Sequence, residues 1–274
     1  PNSLFAGVIG AASGGPPLLE ESDCVLLAAV SDYRVGYLQK AHNVHRITRG
    51  WRALSDYAAD IGVAQSLNWA ARARQFRDEY TAEIAARAEA QRVPGRIHSA
   101  DVARALADTL PLDASLIIDG GSIGQWAHQL LCHRRYPSHW ITCGRSGVVG
   151  YGLAAGMAAR LVSADRPVVL LSGDGAFTFT VTEIECAVRQ RLPFIAIVAD
   201  DQCWGITHSG HLKQFGEGVA TQLGRIDFAL LAQSLGARGQ RINSVDELVP
   251  ALRQALESRE FTLLHVPTSG GNPH

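Results

Sequence analysis

Short apolar runs rich in β-branched residues alternate along this chain with stretches whose apolar positions recur every three to four residues. Continuous or alternating apolarity marks a strand, and a period of about 3.6 marks an amphipathic helix. Residues 25–30 predict a strand, 35–42 a helix and 45–48 another strand. From 62 to 91 the chain is rich in Ala, Arg, Gln and Glu with few breakers. That predicts one long, mostly solvated helix, ended by Pro94-Gly95.

Beyond it the alternation becomes regular. A helix is predicted at 99–110 with Ser99 as its N-cap, and a second follows the strand 116–118 and runs to 131. Then come a strand at 140–142, a Gly- and Ala-rich helix at 148–161, a strand at 168–171, a helix at 182–191 and a strand at 194–198. After a polar loop the pattern continues with a helix at 228–235, a strand at 239–242, a helix at 245–258 and a strand at 261–266. This order predicts an α/β fold, a doubly wound parallel sheet covered on both faces. The end, 269–274, carries no pattern and is expected to fray.

Composition narrows the function classes. The 274 residues are 47% hydrophobic and 19% charged, enough for a real core and too apolar for disorder. The formal net charge of −1 argues against nucleic acid or an anionic membrane as partner. No apolar run approaches the roughly 20 residues needed to span a bilayer, and no basic flank precedes an apolar stretch at the start. The five cysteines are odd in number and widely spaced, which reads as reduced thiols in a cytoplasmic protein.

Candidate chemistry lies at three strand ends, Asp119-Gly120-Gly121, Gly173-Asp174-Gly175 and Asp200-Asp201. In open parallel sheets ligands bind beyond the carboxyl ends of the strands. Glycine there lets backbone N–H groups approach an anion, and a carboxylate can hold a hard cation such as Mg²⁺. Singly, each is an ordinary turn. Together they suggest a phosphate-plus-metal site. No GxGxxG follows the first strand, which disfavours a dinucleotide-binding oxidoreductase.

The constellation is more specific. Gly173-Asp174-Gly175-Ala176-Phe177 leads through a helix and a strand to Asp200-Asp201-Gln202-Cys203-Trp204-Gly205, with Asp174 and Asp201 27 positions apart. This resembles the thiamine-diphosphate motif, GDG followed after a helix and a strand by paired asparagines. Asp119-Gly120-Gly121-Ser122-Ile123-Gly124-Gln125-Trp126 resembles the diphosphate-side loop of the acetolactate synthase and 2-oxo acid decarboxylase superfamily. The run from Trp140 through Gly144-Arg145-Ser146-Gly147-Val148-Val149-Gly150 to Leu153 resembles its segment beside the aminopyrimidine. The likeness divides the chain into a partial Rossmann-like central domain at 1–61, a helical linker at 62–95, the diphosphate-binding domain at 96–268 and a tail at 269–274.

The resemblance implies thiamine diphosphate and Mg²⁺ as cofactors. Asp174 and Asp201 would hold the metal with the Cys203 carbonyl. The amides of Gly175, Ala176, Gly205 and Ile206 would take phosphate oxygens, with the N-terminus of the 176–191 stretch as a positive dipole end, and Gly173 opens that turn. Ser122 and Ile123 would meet the outer phosphate. Backbone groups of Gly147 and Val149 would meet the aminopyrimidine, with Val149 bending the cofactor. The implied reaction makes or breaks a carbon–carbon bond next to a carbonyl, by 2-oxo acid decarboxylation, carboligation or 2-hydroxyacyl cleavage.

Two departures stand out. Asp200-Asp201 replaces the asparagines and adds negative charge beside a diphosphate. The family's activating glutamate lies in a pyrimidine-binding domain for which no segment fits upstream of Leu4. The expectation is therefore a split subunit or the back part of a longer chain, in a homo- or hetero-oligomer whose partner supplies that domain. The competing expectation is a non-catalytic or regulatory subunit. His208 and His211 could face substrate, bind a metal as HxxH, or be solvated loop histidines. Gln125 and Trp126 could line a pocket or belong to the core. Cys203 reads better as a backbone ligand than as a nucleophile.

Overall fold

The computed structural model describes residues 18–22, 24–28, 44–47, 69–132, 139–163 and 165–273. The chain divides into two compact units, residues 1–85 with 274, and 86–273. In the first, a short helix α1 (Leu18–Glu21) precedes two parallel strands, β1 (Val25–Ala28) and β2 (Val44–Ile47), paired from Val25↔Val44 to Ala28↔Ile47. The helix expected at 35–42 lies outside the described residues.

The unit boundary falls within α2 (Trp69–Ala90). Its buried residues Phe76, Ile84 and Ala88 repeat at multiples of four, one stripe on an otherwise solvated helix. The expected helix over 62–91 is thus observed from 69, and its first seven residues lie outside the described ones.

The second unit is a seven-stranded, wholly parallel sheet. Its strands are β3 (Ile97–His98), β4 (Ser115–Asp119), β5 (Trp140–Ile141), β6 (Val168–Gly173), β7 (Ile195–Asp200), β8 (Arg238–Arg241) and β9 (Thr262–Ser269). They run in the order β3-β9-β7-β6-β4-β5, with β8 also paired to β9. Strands β4, β6 and β7 are buried at every position, as required when helices cover both faces. The covering helices are α3 (Ser99–Thr109), α4 (Gly121–Leu130), α5 (Gly152–Val162), α6 (Asp174–Thr178), α7 (Glu183–Arg189), α8 (Gly205–Phe215), α9 (Phe228–Ser234) and α10 (Val245–Glu257). The α/β, doubly wound architecture is the expected one.

Several local expectations need correction. The N-cap of α3 is His98, not Ser99: extended at the end of β3, its Nδ1 accepts the Ala100 N–H at 3.1 Å, and Asp101 accepts the His98 N–H at 3.3 Å. The helix expected at 148–161 starts later, at Gly152, after a 3₁₀ turn over Gly144–Ser146. The amides of Gly150 and Gly152 go instead to the Asp119 carboxylate, both at 2.8 Å. The helix expected at 182–191 is α7, but the 176–191 stretch as a whole is not continuous with it: α6 ends at Thr178, so no long dipole starts at Ala176. Thr180 Oγ1, between them, donates to the Gly150 carbonyl at 2.8 Å.

The polar loop after β7 contains α8. It stops at Gly216 in the left-handed conformation, with Lys213 in its last turn, a legible stop signal that its weak amphipathicity obscured. The end of the chain is tied down over 269–273. Trp126 Nε1 donates to the Gly271 carbonyl at 3.0 Å and Gln91 Nε2 to the Asn272 carbonyl at 2.9 Å. No helix among the described residues is long and apolar enough to cross a membrane.

Candidate cofactor site

From β4 the chain moves outward to β5, then returns to the other side of β4 as β6 and proceeds to β7. The loops leaving β4 and β6 therefore diverge, and the gap between them is where open parallel sheets bind ligands. Two glycines meet there. A Cβ on Gly121, whose φ is +76°, would stand 2.8 Å from the Gly173 Cα. Only glycine allows both the conformation and the approach. A Cβ on Gly120 would stand 3.0 Å from Ala176 Cβ and 3.1 Å from Val149 Cγ1, so three of the expected segments converge on this point.

Next along the sheet, β7 ends in Asp200 and Asp201 follows. Each carboxylate turns back on its own backbone. Asp200 Oδ1 accepts the Gln202 N–H and Asp201 Oδ1 the Cys203 N–H, both at 3.1 Å. These are successive Asx turns, and they carry Gln202 at a φ of +57°. The turn is pinned from outside by Trp204 N–H to Thr221 O and Leu223 N–H to Gln202 O, each 2.8 Å. Neither bond uses the Cys203 carbonyl. Either Asp or Asn supplies the Oδ1 acceptor such turns need, so the acid pair preserves the geometry of an asparagine pair.

The second oxygens separate the pair. Asp200 Oδ2 lies 2.8 Å from His265 Nε2 in β9. Asp201 Oδ2 faces the start of α8 instead. A Cβ on Gly205 would stand 2.8 Å from it and 2.3 Å from Ser122 Oγ. Ser122 Oγ is buried and without a hydrogen-bond partner among the described residues. Helices α4 and α8, ten and eleven residues long, both begin here without a side-chain cap. Their first amides have no intrahelical acceptor, which makes two positive ends beside one another.

Burial raises the charge cost of these acids. The Asp174 carboxyl, in the first turn of α6, is pushed well above the ordinary range by burial and then by the Asp201 charge. Burial also pushes Asp201 up to about 6. Burial works the same way on Asp200, but His265, a hydrogen bond shared with Asp174 and the Gln202 N–H together outweigh it and hold the group below its usual value. Two under-compensated carboxylates thus sit beside donors that have no acceptor. That arrangement fits a cation and an anion bound together.

Among the expected site residues, Ser122, Gly173, Asp174, Gly175, Ala176, Asp201, Cys203 and Gly205 come together, and Val149 reaches them through Gly120. Ile206 follows Gly205 in the first turn of α8. Gly175 is required for packing, because a Cβ there would stand 2.8 Å from the Trp204 ring. The Ile123 side chain is in the core, which leaves only its amide, in the first turn of α4, for a ligand. Gly147, at φ +65°, ends the 3₁₀ turn with open space around it.

His208 and His211 are half-buried on α8, not loop residues. His208 Nδ1 is engaged with Thr221 Oγ1 at 2.7 Å. His211 Nδ1 is buried without a partner among the described residues. Among the described residues no group of three His, Cys, Asp or Glu side chains converges to hold a metal, so the HxxH reading finds no third ligand. Gln125 and Trp126 are both buried, Trp126 completely. Burial raises the Cys203 thiol, contrary to what a nucleophile needs.

One role and one contributor were not anticipated. Asp119, buried at the end of β4, clamps the Gly150 and Gly152 amides and so fixes the segment carrying Val149. Its signal was an acid at a strand end with glycines in a distant segment, which spacing alone does not connect. His265 is the other, invisible in sequence because a lone histidine in an apolar strand reads as core.

The family model "Thiamine pyrophosphate enzyme, C-terminal TPP binding domain" matches residues 119–266, from the Asp119 clamp into β9. The chain belongs to the thiamine pyrophosphate enzymes. It is 29% identical over 255 residues to 2-hydroxyacyl-CoA lyase 2 of Caenorhabditis elegans, a match covering 82% of this chain and 40% of that one. It is 31% identical over 209 residues to the acetolactate synthase isozyme 2 large subunit of Escherichia coli K12, covering 74% and 37%. Among solved structures, the Rhodococcus jostii RHA1 thiamine diphosphate-dependent 4-hydroxybenzoylformate decarboxylase superposes with a TM-score of 0.59 at 25% identity, covering 66% of this chain and 34% of that one. This thiamine pyrophosphate enzyme chain thus spans about two fifths of the length of those relatives.

Proposed function

We propose that the 86–273 unit holds the diphosphate of thiamine diphosphate through Mg²⁺ and serves an enzyme that makes or breaks a carbon–carbon bond next to a carbonyl. The observation that carries this reading is the site's double deficit. Buried Asp174 and half-buried Asp201 suit a cation, while the uncapped starts of α4 and α8 and the unpartnered Ser122 hydroxyl suit an anion. A magnesium diphosphate answers both.

The chain's own residues then have distinct tasks. Asp174, Asp201 and the Cys203 carbonyl would hold the metal. The amides of Gly175, Ala176, Gly205 and Ile206 would hold phosphate oxygens, with Ser122 and the Ile123 amide on the outer phosphate. The Gly205 position must be glycine because any side chain would enter the space between Ser122 and Asp201. Gly147 and Val149 would hydrogen-bond the aminopyrimidine through their backbones, held in register by Asp119. The bound cofactor supplies the electron sink for a carbanion next to a carbonyl. The substrate would be a 2-oxo acid or a 2-hydroxyacyl thioester, as the relatives' names suggest. A pyrimidine-binding domain with its activating glutamate would come from a partner chain or from further sequence.

Calorimetry with thiamine diphosphate and Mg²⁺ tests the site. Saturable binding that needs both components is expected, and its loss in Asp174→Ala. No binding to the wild-type chain, together with no effect of Asp174→Ala in the full assembly, would overturn the reading. Binding without turnover in an assembly that contains a glutamate-bearing pyrimidine domain would favour the non-catalytic alternative.

A further inference from the structure

His265 is wholly buried in β9, paired across the sheet with Val198 of β7. Its Nε2 meets Asp200 Oδ2 at 2.8 Å, and Arg241 Nη1 lies 3.3 Å from its Nδ1. A guanidinium can only donate, so Nδ1 accepts and Nε2 carries the hydrogen that Asp200 receives. The Phe228 ring packs edge-on against the imidazole at 5.3 Å between centres. Asp227 Oδ1 stands 3.8 Å from Nδ1, beyond hydrogen-bond distance. The other oxygen of Asp200 accepts the Gln202 N–H. An unbroken chain of hydrogen bonds therefore runs from Arg241 through His265 and Asp200 to the Asp201–Gln202 peptide.

We propose that His265 is a positioning residue for the metal-side turn Asp201-Gln202-Cys203, acting through Asp200. Gln202 sits in left-handed backbone, which a residue with a Cβ adopts only when its surroundings hold it there. The fixed acceptor on Asp200 holds it, and His265 fixes Asp200. An acid at position 200 offers acceptors to both neighbours at once. A carboxamide cannot, because its second terminal atom is a donor. The departure from paired asparagines and the histidine in β9 are then two halves of one device. Its link to metal binding rests on the reading of Asp201 and the Cys203 carbonyl as metal ligands.

Hydrogen exchange on the 274-residue chain tests the device without cofactor. His265→Leu should speed exchange of the Gln202 and Cys203 amides by about tenfold or more relative to the β6 amides. His265→Gln, which keeps a donor near the Nε2 position, should stay within about threefold of wild type. Adding Asp200→Asn to His265→Leu should recover most of the loss, because the stranded buried charge is gone. If His265→Leu does not fold, His265→Asn, whose shorter amide withdraws the donor, carries the same comparison. Acceleration that is uniform over β6 and the turn, or none at Gln202, would overturn the proposal. A second readout is Mn²⁺ affinity with thiamine diphosphate, expected to fall about tenfold in His265→Leu and to recover in the double variant. Failure of wild type to bind either component would overturn the diphosphate reading, while the exchange pattern would still decide the role of His265.

Discussion

Asp119 and Asp174 stand at the carboxyl ends of neighbouring strands, both buried, both beside glycine. Their surroundings differ. Asp119 receives two backbone amides at 2.8 Å, and its carboxylate is spent on holding the Gly150–Gly152 segment. Burial raises both carboxyls, but at Asp119 the two amides work against it, whereas at Asp174 the Asp201 charge adds to it. The same contrast recurs within the Asp200-Asp201 pair, where the His265 imidazole donates to the first, while burial raises the second despite the Cys203 N–H and a smaller lowering by Ser122. A satisfied buried acid is architecture, and an unsatisfied one is a binding site awaiting its counter-ion.

The sharpest way to break this comparison is to delete each acid in turn. Asp174→Ala should weaken Mg²⁺-dependent thiamine diphosphate binding by about 100-fold or more while leaving folding stability within about 1 kcal/mol. Asp119→Ala should do the reverse in kind, costing about 3 kcal/mol of stability because two buried amides lose their acceptor. Paired calorimetry and denaturant titration read both. Equal effects of the two variants on binding and on stability would sink the distinction.

Gly205→Ala probes the gap between the unsatisfied groups. The new methyl would press on Ser122 Oγ and Asp201 Oδ2, costing about 2 kcal/mol of cofactor binding by titration.

The raised carboxyls also give a signed pH dependence. A group whose folded value is raised stabilises the fold at pH below its unfolded value and loses that contribution as pH rises through the folded value. For Asp201 the loss runs from the ordinary carboxylate range through about 6, and for Asp174 in the same direction. Metal binding requires the ionised forms. The thermal stabilisation given by Mg²⁺ with thiamine diphosphate should therefore grow with pH through and above about 6. A shift that shrinks over that range would contradict the assignment of both acids.

Ser122→Ala should have the smallest effect, about 1 kcal/mol or about fivefold on cofactor affinity, with no loss of folding stability, since the hydroxyl has no partner to lose.

Much of the 86–273 unit was legible from pattern. Strands β4, β6, β7 and β9 were found because buried parallel strands are continuous apolar runs, though each extends further than the run itself. Their acidic and glycine ends, Asp119, Gly173 and Asp200, break the apolar pattern and so hid the true length. Helix α8 was missed because its polar surface carries no stripe, and His98 was passed over as a cap because Ser99 is the stronger capping residue type.

Local chemistry was enough to determine the α/β class, the glycine-marked turns and which acids lie at strand ends, because periodicity and residue type are properties of short segments. Which of those acids is satisfied depended on partners 31 to 65 positions away, Gly150 and Gly152 for Asp119 and His265 for Asp200. Hydrogen bonds over such separations exist only once the sheet has brought the strand ends together. The tertiary structure alone therefore decided that Asp201, with Asp174 beside it, is left facing Ser122 and the start of α8, while Asp119 is spent on the Gly150 and Gly152 amides and Asp200 on His265.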